Sequence, residues 1–112
     1  MAGEQAQTAS ESQARGTADA AARIRELGCA AEPYVIAQRR YFHQHPELSL
    51  QEVDTTETIA RELDAMCIPY ERPLDTGLVA TLAGTAPDAY REDGSPRRRL
   101  LIRADIDALA VT

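Results

Sequence analysis

Leu100-Leu101-Ile102-Arg103-Ala104-Asp105-Ile106-Asp107 is the stretch on which the fold turns. Three successive apolar residues suit a strand covered on both faces, as in the sheets of α/β proteins. Asp105 and Asp107 stand at the carboxyl end of that predicted strand, where open α/β sheets place their ligand crevice. If the backbone stays extended, the period of two turns both carboxylates to the same face. Such a pair can hold a hard cation, orient a histidine or share one proton. The motif by itself is equally compatible with a strand end that caps the next helix.

Upstream of this stretch, Leu78-Val79-Ala80-Thr81-Leu82-Ala83 reads as a second strand, and Ile68 to Arg72 is long enough for a third. Between the last two strands, Ala86-Pro87-Asp88 and Asp93-Gly94-Ser95-Pro96 are turn signals in a polar loop. Two helices precede the strands. After Pro33, a residue suited to a first helical turn, Tyr34, Ala37 and Tyr41 recur at helical spacing, with Val35 and Phe42 beside them. His45 precedes Pro46 and so avoids helical backbone, which ends this helix near His43 or Gln44. Ser49 and Glu52 fit a capping box for the next helix. Its apolar stripe is Val53, Thr56, Ile59, Ala60, Leu63 and Met66, opposite Asp54, Glu57, Arg61 and Asp64.

The first 33 residues differ in kind. Up to about residue 17 they carry Ala, Gln, Ser, Thr and Glu with no apolar period, and read as disordered. The alanine-rich run from Ala18 has high helix propensity, with Gly28 as a natural stop, but too little apolar content for more than a marginal helix. The predicted organisation is a disordered or marginally helical extension over 1–33 and an α/β portion over 34–112. Two helices can cover one face of a three-stranded sheet but not both, so the expected whole is a larger domain of which this is the opening part. On its own the chain is expected to be loosely packed, since domains of 60–80 residues bury only about 60% of their unfolded surface.

Composition narrows the function classes. A net charge of -6 over 112 residues argues against a general nucleic-acid binder or an anionic-membrane binder. All twelve basic residues are arginine. No apolar run approaches the length of a membrane span, and Met1-Ala2-Gly3-Glu4-Gln5 lacks the marks of a signal peptide, so a cytoplasmic location is expected. Cys29 and Cys67 are far apart and read as free thiols. His43-Gln44-His45 has the spacing of a zinc pair on a strand. On a helix end, however, side chains two apart do not face each other, and a structural role at the turn is favoured. Tyr34, Tyr41 and Phe42 read as packing residues, and Arg97-Arg98-Arg99 as a solvated loop.

Taken in order, three segments resemble the opening of the M20 family of metal-dependent amidohydrolases. They are Arg39-Arg40-Tyr41-Phe42-His43-Gln44-His45-Pro46-Glu47-Leu48-Ser49 with Glu52 and Thr56; Thr76 through Gly84; and Leu101 through Leu109. The similarity covers roughly residues 34–112 and is nearest to the branch of hippurate, N-acyl-amino-acid and auxin-conjugate hydrolases. The resemblance implies an α/β catalytic domain with a central mixed sheet and a smaller lid or dimerisation domain. It also implies one or two divalent metals, zinc or manganese, a metal-activated water and a glutamate base. An N-acyl amino acid or related conjugate is the implied substrate, and a homodimer of the complete enzyme is compatible with it. The family's metal ligands lie in later segments, so no metal is expected to bind this chain alone. Asp107 matches the aspartate that orients a metal ligand from behind, and Asp105 stands where other branches have a metal-binding histidine. Three departures are visible. Cys67 replaces a common glycine, which costs about 1–2 kcal/mol if the backbone there is left-handed. Ala110 replaces a usual proline, and the loop from Thr85 to Arg99 is long.

Two rival readings remain. Asp105 and Asp107 after an apolar strand also fit a magnesium-dependent phosphatase of the haloacid-dehalogenase type, although Leu109 stands where those enzymes usually carry Thr or Val. The other rival is a short non-catalytic chain with an interaction or regulatory role.

Overall fold

The computed structural model describes residues 2–109, with side chains from residue 16 onward. The chain divides into two units, Met1–Tyr41 and Phe42–Thr112. In order, the elements are helix α1 (Ala2–Gln44), helix α2 (Val53–Ala65), strand β1 (Tyr70–Glu71) and strand β2 (Val79–Ala80). The result is the expected mixed α/β class, with a two-stranded antiparallel sheet.

The first unit is the body of α1. The helix begins at Ala2. The helix runs through Gly28 without stopping, and Pro33 lies inside it rather than in a first turn. An interior proline lacks an N–H and its ring crowds the carbonyl four residues back, at a cost of about 3 kcal/mol. Good helix formers on both sides, Ala30-Ala31-Glu32 and Ala37-Gln38-Arg39, offset that cost, and one long helix avoids a second nucleation. Arg23 and Glu26 pair at 2.6 Å across one turn, both well exposed, so the pair contributes little. At its far end α1 stops at Gln44, as the His45-Pro46 step requires, and the His45 N–H donates to the Phe42 carbonyl at 3.2 Å.

The second unit is organised around α2, and its start corrects the expected capping box. Ser49 lies in a turn closed by Gln51 N to Leu48 O (2.9 Å), with Leu50 in left-handed backbone at φ 64°. Glu52 is the N-cap and its side chain makes no capping bond. The missing cap comes from further back. One oxygen of Glu47 accepts the Asp54 amide (3.1 Å) and the other the Thr55 amide (2.6 Å), the second and third amides of the helix. These two donors have no partner within the helix, and a carboxylate at a helix N-terminus is also favoured by the dipole.

The C-terminus of α2 is closed by a Schellman motif. Cys67 N donates to Asp64 O (3.0 Å) and Ile68 N to Leu63 O (2.9 Å), which requires left-handed backbone at Cys67, and its φ is 56°. The departure from glycine at this position therefore carries strain. We expect Cys67→Gly to stabilise α2 by about 1 kcal/mol, read as slower amide exchange over the last turn of α2. Unchanged or faster exchange there would mean that the cysteine side chain contributes more than the strain removes.

The inward side of α2 is polar for a core: Thr55, Thr56, Thr58 and Ala60 are buried, and Ala60 is the sole buried apolar residue among those described. Val53 and Met66, expected on the apolar stripe, are exposed. Three polar links tie α2 to the hairpin. Thr56 Oγ1 accepts the Gly77 amide at 2.9 Å, the Tyr70 hydroxyl lies 3.4 Å from Asp64 Oδ2, and Arg72 makes a two-armed pair with Glu57. Gly77 occupies φ 86°, backbone that a side chain would strain. The Arg72 guanidinium holds the Glu57 carboxyl below its usual value. That link is present above the ordinary carboxylate range and is lost as pH falls through the depressed value.

Strands β1 and β2 pair Tyr70 with Ala80 and Glu71 with Val79, and Thr81 N to Pro69 O (3.0 Å) continues the ladder. The loop that follows is folded. A bridge between Tyr90 and Pro96 closes a turn in which Asp93 accepts from both the amide and the hydroxyl of Ser95. Both turn signals of the sequence are used, the first through Ala89 N to Ala86 O at 3.0 Å.

The expected third strand is a correction. Leu100 to Ala104 forms no strand, and Leu100, Leu101 and Ile102 are 86%, 88% and 82% exposed. A strand exists through its ladder, and no described residue pairs with these. The apolar run encodes burial on two faces, and neither covering layer is found among the described residues. Ala110 lies outside them.

Candidate functional site

Within the second unit, the segment that joins the two helices turns back toward the 104–108 stretch. The anchor is Glu47. Its carboxylate is fixed on the amides of α2, and its own carbonyl accepts the Ala108 amide at 2.8 Å. Hydrogen bonds from Thr55, by side chain and then by backbone, hold the Glu47 carboxyl below its usual value, so it remains a carboxylate into mildly acidic solution.

This arrangement encloses a cleft of about 380 Å³. Its lining includes the apolar Phe42, Pro46 and Ile59, together with Thr55, Asp105, Asp107, His43 and His45. The two aspartates thus share a cleft although the strand expected to align them is absent. They are not equivalent: Arg103 reaches Asp105 Oδ1 through Nε (3.1 Å) and through its terminal nitrogen (2.8 Å), in an exposed pair. Ile106 and Ala108 between and after them are half-buried, so the segment lies with its apolar side inward.

His43 and His45, read from sequence as turn residues, both line the cleft. Glu47 was missed as a site residue. Its signal was a carboxylate placed directly after His-Pro and a few residues before a helix start. The cleft therefore combines imidazole and carboxylate groups with an apolar part of its lining. It is not a closed metal site: among the described residues, no three of His, Cys, Asp and Glu stand together as a metal-binding group. Cys29 and Cys67 are free and exposed. No helix among the described residues is long and apolar enough to cross a membrane.

Structural zinc sites need four donors and catalytic ones three plus water. We accordingly expect calorimetric titration of this chain with zinc or manganese to show no stoichiometric submicromolar site. One such site would mean that the histidines and aspartates of the cleft converge in solution.

No family model matches the chain, and no solved structure matches it. Curated relatives do. A protein named "uncharacterized hydrolase" from Staphylococcus saprophyticus is 47% identical over 78 residues, covering 70% of this chain and 18% of that protein. Proteins of the same name from Staphylococcus haemolyticus and Staphylococcus epidermidis are 42% and 41% identical over the same length and shares. The chain thus spans under a fifth of the length of the curated relatives it matches.

Proposed function

We propose that the chain carries part of the active-site wall of a metal-dependent hydrolase that cleaves the amide bond of N-acyl amino acids or related conjugates. The observation that carries this reading is the cleft: Asp105 and Asp107 meet His43 and His45 around one cavity, in a sequence similar to proteins named hydrolases. The order of the three segments resembling the M20 family supplies the amide substrate class and the zinc or manganese.

The residues of this chain do not by themselves fit such a metal, since no donor set closes among the described residues. In this reading the donors come from other segments of a hydrolase-length protein, and Asp107 accepts the N–H of one ligating imidazole. That contact fixes the tautomer and raises the basicity of the nitrogen facing the metal. Asp105, already engaged by Arg103, has the lesser part.

The test is an assay of the full reading frame with N-benzoylglycine, with added zinc or manganese and after chelation. Release of glycine that is lost on chelation and restored by metal supports the reading. Magnesium-dependent release of phosphate from p-nitrophenyl phosphate, without amide cleavage, would replace it with the phosphatase reading of the same aspartates.

A further inference from the structure

We propose that Glu47 is the positioning residue of the cleft: by clamping the start of α2 it sets the register of the Asp105-Ile106-Asp107 segment. Three contacts of one residue carry this. Two carboxylate bonds to Asp54 N and Thr55 N fix the side chain on the helix, and the carbonyl of the same residue holds Ala108 N at 2.8 Å. Pro46 fixes its own φ, which limits the backbone on the N-terminal side of Glu47. Ala108 is one residue beyond Asp107, and the loss of this bond frees the segment that forms the aspartate wall. No β ladder holds that segment, because residues 100–109 have no strand partner among the described residues. The Glu47 carbonyl stands in for the ladder at one point. The link itself is independent of the reaction; its consequence for hydrolysis rests on the proposed function.

The experiment is amide hydrogen exchange, resolved by residue, on the 112-residue chain, Glu47→Gln and Glu47→Ala. The Gly77 amide, held by Thr56, serves as the internal reference. In Glu47→Ala the amides of Asp54, Thr55 and Ala108 should exchange about tenfold faster while Gly77 keeps its protection. Glu47→Gln retains one carbonyl oxygen at the same reach, so the same amides, Ala108 included, should fall between parent and Glu47→Ala. Faster exchange at Asp54 and Thr55 with Ala108 unchanged in both variants would overturn the proposal and leave Glu47 a helix cap. Equal loss of protection at every amide in Glu47→Gln, Gly77 included, would also overturn it, as the mark of a general structural role. Because no turnover or metal is read, an inactive full-length protein would leave this result standing.

Discussion

Thr56→Val should loosen the second unit by about 1–3 kcal/mol. Thr56 is 1% exposed, the most buried side chain among those described. Its hydroxyl donates to the Glu52 carbonyl at 2.6 Å and accepts the Gly77 amide at 2.9 Å. Valine keeps the shape and removes both bonds. The Glu52 carbonyl loses little, because it still accepts the Thr56 amide at 3.0 Å. The Gly77 amide loses its partner in a position where the backbone is already committed to φ 86°. A part-buried donor left without an acceptor costs more than the net worth of the bond it made. Native-state exchange at Gly77 and along α2 measures the effect. Thr56→Ser, which keeps the hydroxyl, should recover most of it and lose only the packing of one methyl, about 0.8 kcal/mol. If serine and valine behaved alike, the packing of the methyl and not the hydroxyl would be the link between helix and hairpin.

That link also marks how far the sequence was legible. Both helix ends beside proline were readable, because X-Pro restricts the preceding residue wherever it occurs: α1 stops at Gln44 and α2 ends ahead of Pro69. The hairpin strands and the two loop turns were readable from local chemistry as well. What failed was long-range. Ser49 and Glu52 have capping-box spacing, but the structure gives the cap to Glu47, eight residues from one of the amides it holds. Spacing rules describe neighbours, and a carboxylate folding back from outside the helix is not a neighbour in sequence. Gly28 and Pro33 differ in the opposite sense. Gly28 is a local stop signal and Pro33 a local start signal, and both were overridden by the propensity of the long run around them.

The candidate site was half legible. Asp105 and Asp107 could be singled out because two carboxylates after an apolar run are chemically unusual, and both reach the cleft. The reason given for their alignment did not survive, since residues 100–104 lack a strand partner. The Glu47 carbonyl holds the segment at Ala108 instead. His43 and His45 were discounted because residues two apart on a helix point apart. That rule applies within a helix, and His45 lies past the end of α1, where both residues line the cleft.

Asp107→Ala, made in the full-length hydrolase of the proposed function, should lower amide hydrolysis by about 10–100-fold with the fold retained. Asp107 is exposed on the cleft wall, so the substitution removes almost no apolar packing, and Ala108, which carries the backbone bond to Glu47, is untouched. The lost function is electrostatic. A carboxylate behind a ligating imidazole holds the proton on the distal nitrogen and strengthens the nitrogen that faces the metal. Its removal should therefore appear first as reduced metal content at limiting zinc or manganese, then as reduced turnover that excess metal partly restores. Asp105→Ala should cost less, because the Asp105 carboxylate is already paired with Arg103 and the freed guanidinium remains in solvent. Both variants would be compared with the parent by metal analysis and turnover, with circular dichroism to confirm folding. A larger loss in Asp105→Ala than in Asp107→Ala would reverse the roles of the pair and make the Arg103-linked aspartate the one that faces the chemistry.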